Sequence, residues 1–266
     1  RAVEPEVKAA IDFAVENIRR VHERQKPERM WLETVRPGVL AGERYTPIPS
    51  VACYVPRGKG AFPSVMMMTT VPAVIAGVPE IAVMTPPTPD GGVDGASLVA
   101  ARRAGVEAVY KCGGAVAVAA AAFGTATIPR CLKIVGPGSP WLVAAKRQLA
   151  DRIDTGLPAG PSESIVLADT GTDPRLAAMD LLIEAEHGDD SSAYLVTADR
   201  ALAEAVRAEL PALLAAMGAE RRGYAEAVLT GPRGGIVLAP SMDEAVAFVN
   251  EYAPEHLQLV GDDPHR

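Results

Sequence analysis

From about Glu4 to Arg24, apolar side chains fall at Val7, Ile11, Ala14, Ile18 and Val21. This is the i, i+4, i+7 spacing of an amphipathic helix. The next stretch, QKPERMWLETVRPGVLAGERYTP, keeps neither the helical nor the strand period and carries prolines, so it reads as a connector with short strands. From Val51 onward, short β-branched runs alternate with longer alanine-rich ones. The strand candidates are VACYV, EIAVMT, EAVYK, LKIVG, SIVLAD, AYLVT, GIVLAP and HLQLV. Between them lie helical candidates such as SVMMMTTVPAVIAG, AVAVAAAAFG, PRLAAMDLLIEAEHG and MDEAVAFVNEYA, several of which end in the glycine that a left-handed cap favours. Such alternation predicts α/β architecture with mainly parallel strands. TGLPAGPSES interrupts the series, which divides the prediction into two Rossmann-like βα domains packed around an interdomain cleft, with the change near Pro158–Ser162. On this reading residues 1–50 are a helix and connector packing on the second domain. Residues 51–160 form the domain with glycine-rich loops, and residues 161–266 the domain with the chemistry-bearing side chains.

Composition narrows the class. An apolar content of 48% over 266 residues is ample for a core, while 5% aromatics with abundant Ala, Val and Gly suits tightly packed α/β layers. A net charge of −7 without a Lys/Arg run argues against a general nucleic-acid binder. Cys53, Cys112 and Cys131 are widely spaced and form no C-x-x-C pair, so they read as reduced core thiols. No run of about 18 apolar residues predicts a membrane span, and the charged opening RAVEPEVKAA lacks the apolar core of a signal peptide. The expectation is a soluble, cytoplasmic protein.

Open α/β sheets bind ligands at the carboxyl ends of their strands, which directs attention to the loops after strands. PRGKGAFPS (Gly58, Gly60), KCGGAVAVAA (Gly113, Gly114) and VGPGSPW (Gly136, Gly138) each put glycine between a strand and a helix N-terminus. That arrangement suits a phosphate or dinucleotide and equally a plain tight turn; neither G-x-G-x-x-G nor a Walker loop is present. Ser162 in AGPSES is a turn cap or a ligand contact, and no G-x-S-x-G elbow makes it a nucleophile. In DLLIEAEHGDDSS, Glu184 and His187 are three apart and share a helix face. Both can reach one divalent ion, or His187 can simply complement the helix C-terminus and its carboxylate neighbours. In NEYAPEHLQLV, Glu255 and His256 lie between a helix and a strand. Adjacent residues of an extended segment point apart, so the two are expected not to pair; they can serve separate proton transfers, or simply stand exposed in a loop. His22 and His265 read as surface residues.

YVPRGKGAFPS, IVGPG, AGPSES, DLLIEAEHGDDS and NEYAPEHL follow one another in the order and at the spacings of the histidinol dehydrogenase family, which the chain resembles from its first helix to Leu257. The resemblance implies a homodimeric zinc enzyme that oxidises L-histidinol to L-histidine through the aldehyde with two NAD. It makes His187 a zinc ligand and puts Glu184 at the place of a second, usually glutamine. Ser162 becomes a substrate contact, His256 the base of the first oxidation and Glu255 the group that activates water for the second. It places Tyr54, Val116 and Ser139 at cofactor contacts, the last two where glutamine and asparagine are usual. The family runs on beyond this chain's last residue, Arg266, and that part supplies an aspartate and a histidine to the zinc, the histidine across the dimer interface. The departures at Glu184, Val116 and Ser139 keep a second substrate open, another small polar alcohol such as a sulfonated diol. A non-catalytic relative that retains the fold is the third reading.

Overall fold

A computed structural model describes residues 3–262; His265 lies outside them. The chain divides into two compact units, Arg1–Ala159 and Gly160–Arg266.

The first unit opens with α1 (Pro5–Gln25) and the antiparallel hairpin β1 (Met30–Arg36) and β2 (Val39–Arg44). β3 (Ser50–Tyr54), α2 (Pro63–Ile75), β4 (Glu80–Thr85), α3 (Gly95–Ala104), β5 (Val109–Lys111), α4 (Gly114–Phe123), β6 (Lys133–Val135) and α5 (Pro140–Gln148) follow. The four later strands form a parallel sheet in the order β5-β4-β3-β6. Strand β3 is buried along its whole length, which is why it reads as an unbroken apolar run. Its period of two sorts the core into layers. Ala52 and Tyr54 pack with Ala117 and Val118 of α4 and Leu142 of α5. Val51 and Cys53 pack with Met66 and Val71 of α2 and Ala100 of α3.

Helix α1 corrects the sequence expectation. Its buried stripe, Ile11 and Val15 with Ala14 and Ile18 beside them, joins the α2–α3 layer of the first unit rather than the second domain. The physical reason is the apolar outer surface that α2 and α3 present to it. The connector is the β1–β2 hairpin, exposed throughout, with Gly38 at φ +80° in its turn. Burial pushes the Cys53 thiol up to about 12 and the Cys131 thiol up to about 11, so both stay protonated at neutral pH.

The second unit consists of β7 (Glu163–Ala168), α6 (Pro174–Ala185), β8 (Ser192–Thr197), α7 (Arg200–Ala216), α8 (Ala219–Thr230), β9 (Gly234–Leu238), α9 (Met242–Tyr252) and β10 (His256–Val260). Its parallel sheet has the order β10-β7-β8-β9, so the last strand returns beside the first. Val166, Ala168 and Leu195 face α6, α7 and α8; Ile165 and Val196 face α9. Helix α8 was not among the sequence candidates. Only Ala225 and Val228 of AERRGYAEAVLT are buried, too few to leave an apolar stripe in the sequence. No helix among the described residues is long and apolar enough to cross a membrane.

Candidate functional site

In a parallel βα sheet a helix that alone joins two strands starts at the carboxyl edge and ends at the amino edge. The two edges therefore carry opposite ends of the helix dipoles, positive at the first and negative at the second. The sequence candidates fall on different edges in the two units.

In the first unit they lie at the carboxyl edge. Tyr54 ends β3, and its hydroxyl accepts a hydrogen bond from the Gly114 N–H at the start of α4, at 3.0 Å. Val116, in the first turn of α4, is 69% exposed. Ser139 caps α5 with its hydroxyl, which accepts the Leu142 N–H. Gly136 follows β6 with φ +108°, and a Cβ there would stand 2.0 Å from the Tyr54 carbonyl oxygen. Only glycine allows this approach. Lys146, 6% exposed, donates from Nζ to the Gly136 carbonyl at 2.7 Å, and burial lowers its pKa. Gly58 and Gly114 have open space where a side chain would stand, and the Gly114 N–H is the one donated to Tyr54. This edge offers helix N-termini, open glycine backbone and a hydroxyl already aimed at α4. That donor set fits a dinucleotide phosphate bound through backbone N–H groups.

In the second unit the candidates lie at the amino edge, contrary to the carboxyl-edge expectation that guided the sequence reading. Ser162 immediately precedes β7, and its carbonyl accepts the N–H of Ser192, the first residue of β8, at 2.9 Å. Glu184 belongs to the last turn of α6, the helix that leads into β8. His187 lies just past that helix, held in a tightened turn by its N–H donating to the Glu184 carbonyl at 3.1 Å. Glu255 and His256 stand where α9 gives way to β10, with His256 in register with Ser164 of β7. The cause is topological: β10 returns beside β7, and α6 and α9 both end at this edge.

His187 Nδ1 donates to the Ile183 carbonyl oxygen at 2.7 Å, which leaves the lone pair of neutral imidazole on Nε2. Glu184 Oε2 stands 3.7 Å from Nδ1, with the carboxylate side chain 18% exposed. An imidazole nitrogen with a fixed tautomer, a nearby carboxylate and the negative end of α6 suit a divalent cation. A tetrahedral zinc site takes four ligands, of which such a pair would be half. Among the described residues no group of three or more His, Cys, Asp or Glu side chains is placed to hold a metal.

Glu255 Oε2 and His256 Nδ1 approach to 3.8 Å, both side chains about half exposed. The expectation that they point apart is corrected: Glu255 sits in a bend before the strand begins, so strict alternation does not yet apply. The direction of His256 follows from its neighbours two and four residues on. Gln258 Nε2 donates to Asp180 Oδ2 of α6 at 2.7 Å, and Val260 packs in the α6 layer. Alternation along β10 turns His256 to the same face.

Sequence reasoning missed the side chains that hold this edge together. Tyr252 and Ser192 are hydrogen-bonded through their hydroxyls, and Arg233 donates to the Asp189 carbonyl. Tyr252 stands inside the NEYAPEHL stretch, but no spacing rule pairs it with a residue sixty positions away.

The sequence model of the histidinol dehydrogenase family matches residues 1–266. A Mesorhizobium japonicum protein called histidinol dehydrogenase homolog 2 is 64% identical over 98% of this chain and 60% of its own length. A histidinol dehydrogenase of a Synechocystis strain is 53% identical over 99% of this chain and 61% of its own. Among solved structures, the histidinol dehydrogenase of Elizabethkingia anophelis superimposes with a TM-score of 0.86 at 34% identity, over 98% of this chain and 60% of that one. The chain thus spans about three-fifths of the length of these relatives. It belongs to the histidinol dehydrogenase family.

Proposed function

We propose that the protein oxidises a primary alcohol with NAD and a zinc ion, converting L-histidinol to L-histidine through the aldehyde. The observation that carries this reading is the common amino edge of the second sheet, where α6 and β10 face each other. Asp180, Glu184 and His187 follow one stripe of α6 and its last turn, at i, i+4 and i+7. Asp180 is bonded to Gln258. From that contact, four helical residues and two strand residues each advance by about 6–7 Å. Since α6 runs against β10, the step leads from Asp180–Gln258 to Glu184 and His256 at one level.

Glu184 and His187 would hold zinc, which, when bound, polarises the alcohol oxygen. Tyr54, Val116 and Ser139 would line the dinucleotide, whose nicotinamide accepts the hydride. Ser162 hydrogen-bonds and orients the substrate. His256 removes the hydroxyl proton as the carbinol carbon gives up its hydride, leaving aldehyde and one NADH. Glu255 then takes a proton from the water that adds to the aldehyde carbon, and the hydrate yields a second hydride to a second NAD. Four electrons leave the substrate and two NADH form. We extend the proposal to a homodimer, as the resemblance implies.

A second reading favours a different small polar alcohol, such as a sulfonated diol. Its support is the Glu184 carboxylate where the family usually has an amide, together with relatives of 61–65% identity named only as homologs. Following NADH with L-histidinol and a set of alternative alcohols decides between the two. Two NADH per histidinol support the first, and turnover confined to another alcohol supports the second. No turnover with any alcohol in the zinc-loaded protein contradicts both.

A further inference from the structure

We infer that Tyr252 is a positioning residue for Glu255 and His256, acting through its hydroxyl bridge to Ser192; this rests on the role proposed above for that pair. Tyr252 is the last residue of α9 and Ser192 the first of β8. Their hydroxyls are hydrogen-bonded, and Ser192 is buried. The Ser192 N–H in turn donates to the Ser162 carbonyl, so the bridge ties the end of α9 to the segment bearing the proposed substrate contact. The Tyr252 ring is set by Tyr194, edge-on with centroids 5.6 Å apart, and by Phe248, stacked at 6.2 Å.

Only Ala253 and Pro254 separate Tyr252 from Glu255, and both have restricted backbones. Ala253 is left-handed at φ 52°, ψ 61°, the one non-glycine residue with positive φ among those described. Proline fixes its own φ and biases the residue before it toward extended conformations. Ala253 therefore keeps a conformation that its own side chain and its successor both disfavour, which requires support from its surroundings. Beyond the pair, the ladder at His256–Ser164 and the Gln258–Asp180 bond hold the chain. The upstream end is held in place by the last turn of α9, and the bridge is the polar contact that locates that turn. Without it, Ala253 can relax toward the extended conformation preferred before proline, and that rotation swings Glu255 and His256 away from Ser162.

The test compares Tyr252→Phe, Ser192→Ala, their double variant and His256→Ala in the intact zinc-loaded protein. It reads NADH formation from L-histidinol, the primary deuterium isotope effect at the carbinol carbon, and amide hydrogen exchange over residues 253–257. Each single variant is expected to lower kcat on the order of ten- to a hundredfold. The KM for NAD stays unchanged, the isotope effect rises and exchange over 253–257 quickens. The double variant is expected to be no worse than either single, because one interaction is lost in all three. Unchanged exchange over 253–257, or additive losses in the double, overturns the inference. So does a kcat within about twofold of the parent in Tyr252→Phe while His256→Ala is inactive, and in that case the proposed function survives. Turnover at close to the parent rate in His256→Ala overturns the catalytic reading and, with it, the positioning role.

Discussion

In the first unit, Tyr54 ends β3, and Val116 and Ser139 follow β5 and β6; in the second, Ser162, His187 and Glu255 precede β7, β8 and β10, and His256 opens β10. Two sheets of the same parallel construction thus present their candidate residues at opposite edges. The helix dipoles give this difference a physical meaning. At a carboxyl edge, helix N-termini offer unpaired N–H groups and positive potential, which favour an anionic dinucleotide. At an amino edge, helix C-termini offer negative potential, which favours a metal cation or a protonated imidazole. Side chains that move protons do not depend on free backbone donors, and so the general rule about carboxyl edges need not govern them. The division also separates the two kinds of residue: glycines whose backbone matters in the first unit, and ionisable side chains in the second.

The comparison breaks most sharply at His256. Replacing it with alanine is expected to lower kcat by about 10²–10⁴-fold while NAD affinity, which the proposal assigns to the other unit, is expected to stay unchanged. Steady-state kinetics paired with a direct NAD titration checks this. In Glu255→Ala the second oxidation stalls and the first survives in part, so product analysis should find aldehyde; equal loss of both steps would contradict the assigned role.

His187→Ala tests the metal side. Zinc affinity should fall by more than the roughly 10–100-fold that a change outside the ligand shell costs, again with NAD binding intact, as metal analysis beside the same titration would show. Gly136→Ala is the mirror experiment. A methyl group 2.0 Å from the Tyr54 carbonyl, at φ +108°, cannot be accommodated without moving backbone. The expected cost is on the order of 3 kcal/mol of stability, together with weaker NAD binding and unchanged zinc content. Denaturant unfolding and metal analysis of one preparation read both.

The smallest effect is expected at Ala253→Gly. Relief of the left-handed strain, about 1 kcal/mol, is largely offset by the greater freedom of glycine in the unfolded chain, about 0.4–1 kcal/mol. Thermal stability should barely change, and a fall in kcat without a fall in Tm would show that rigidity at this connector serves the pair that follows it.

Much of this was legible in the sequence, and the reasons differ by element. The central strands announce themselves because both faces are covered, as in SVACY, where every residue is buried. Ser162, Glu184, His187, Glu255 and His256 could be singled out from residue type and spacing. Their shared edge could not. It depends on β10 pairing beside β7, a contact between segments about ninety residues apart, and no local pattern encodes strand order. Helix α8 escaped because two small buried residues leave no period, and α1 was misplaced because an amphipathic stripe says that a face is covered without saying by what. The bend at Glu255 is a similar case: alternation predicts directions within a strand, and the residue lies just before one.

The division of labour between the two edges is tested most directly by removing zinc with a chelator and measuring NAD affinity and NADH formation from L-histidinol on the same sample. NAD is expected to bind as before, no NADH to form, and added zinc to restore two NADH per alcohol. Loss of NAD binding together with the metal, or turnover that survives its removal, would contradict that division.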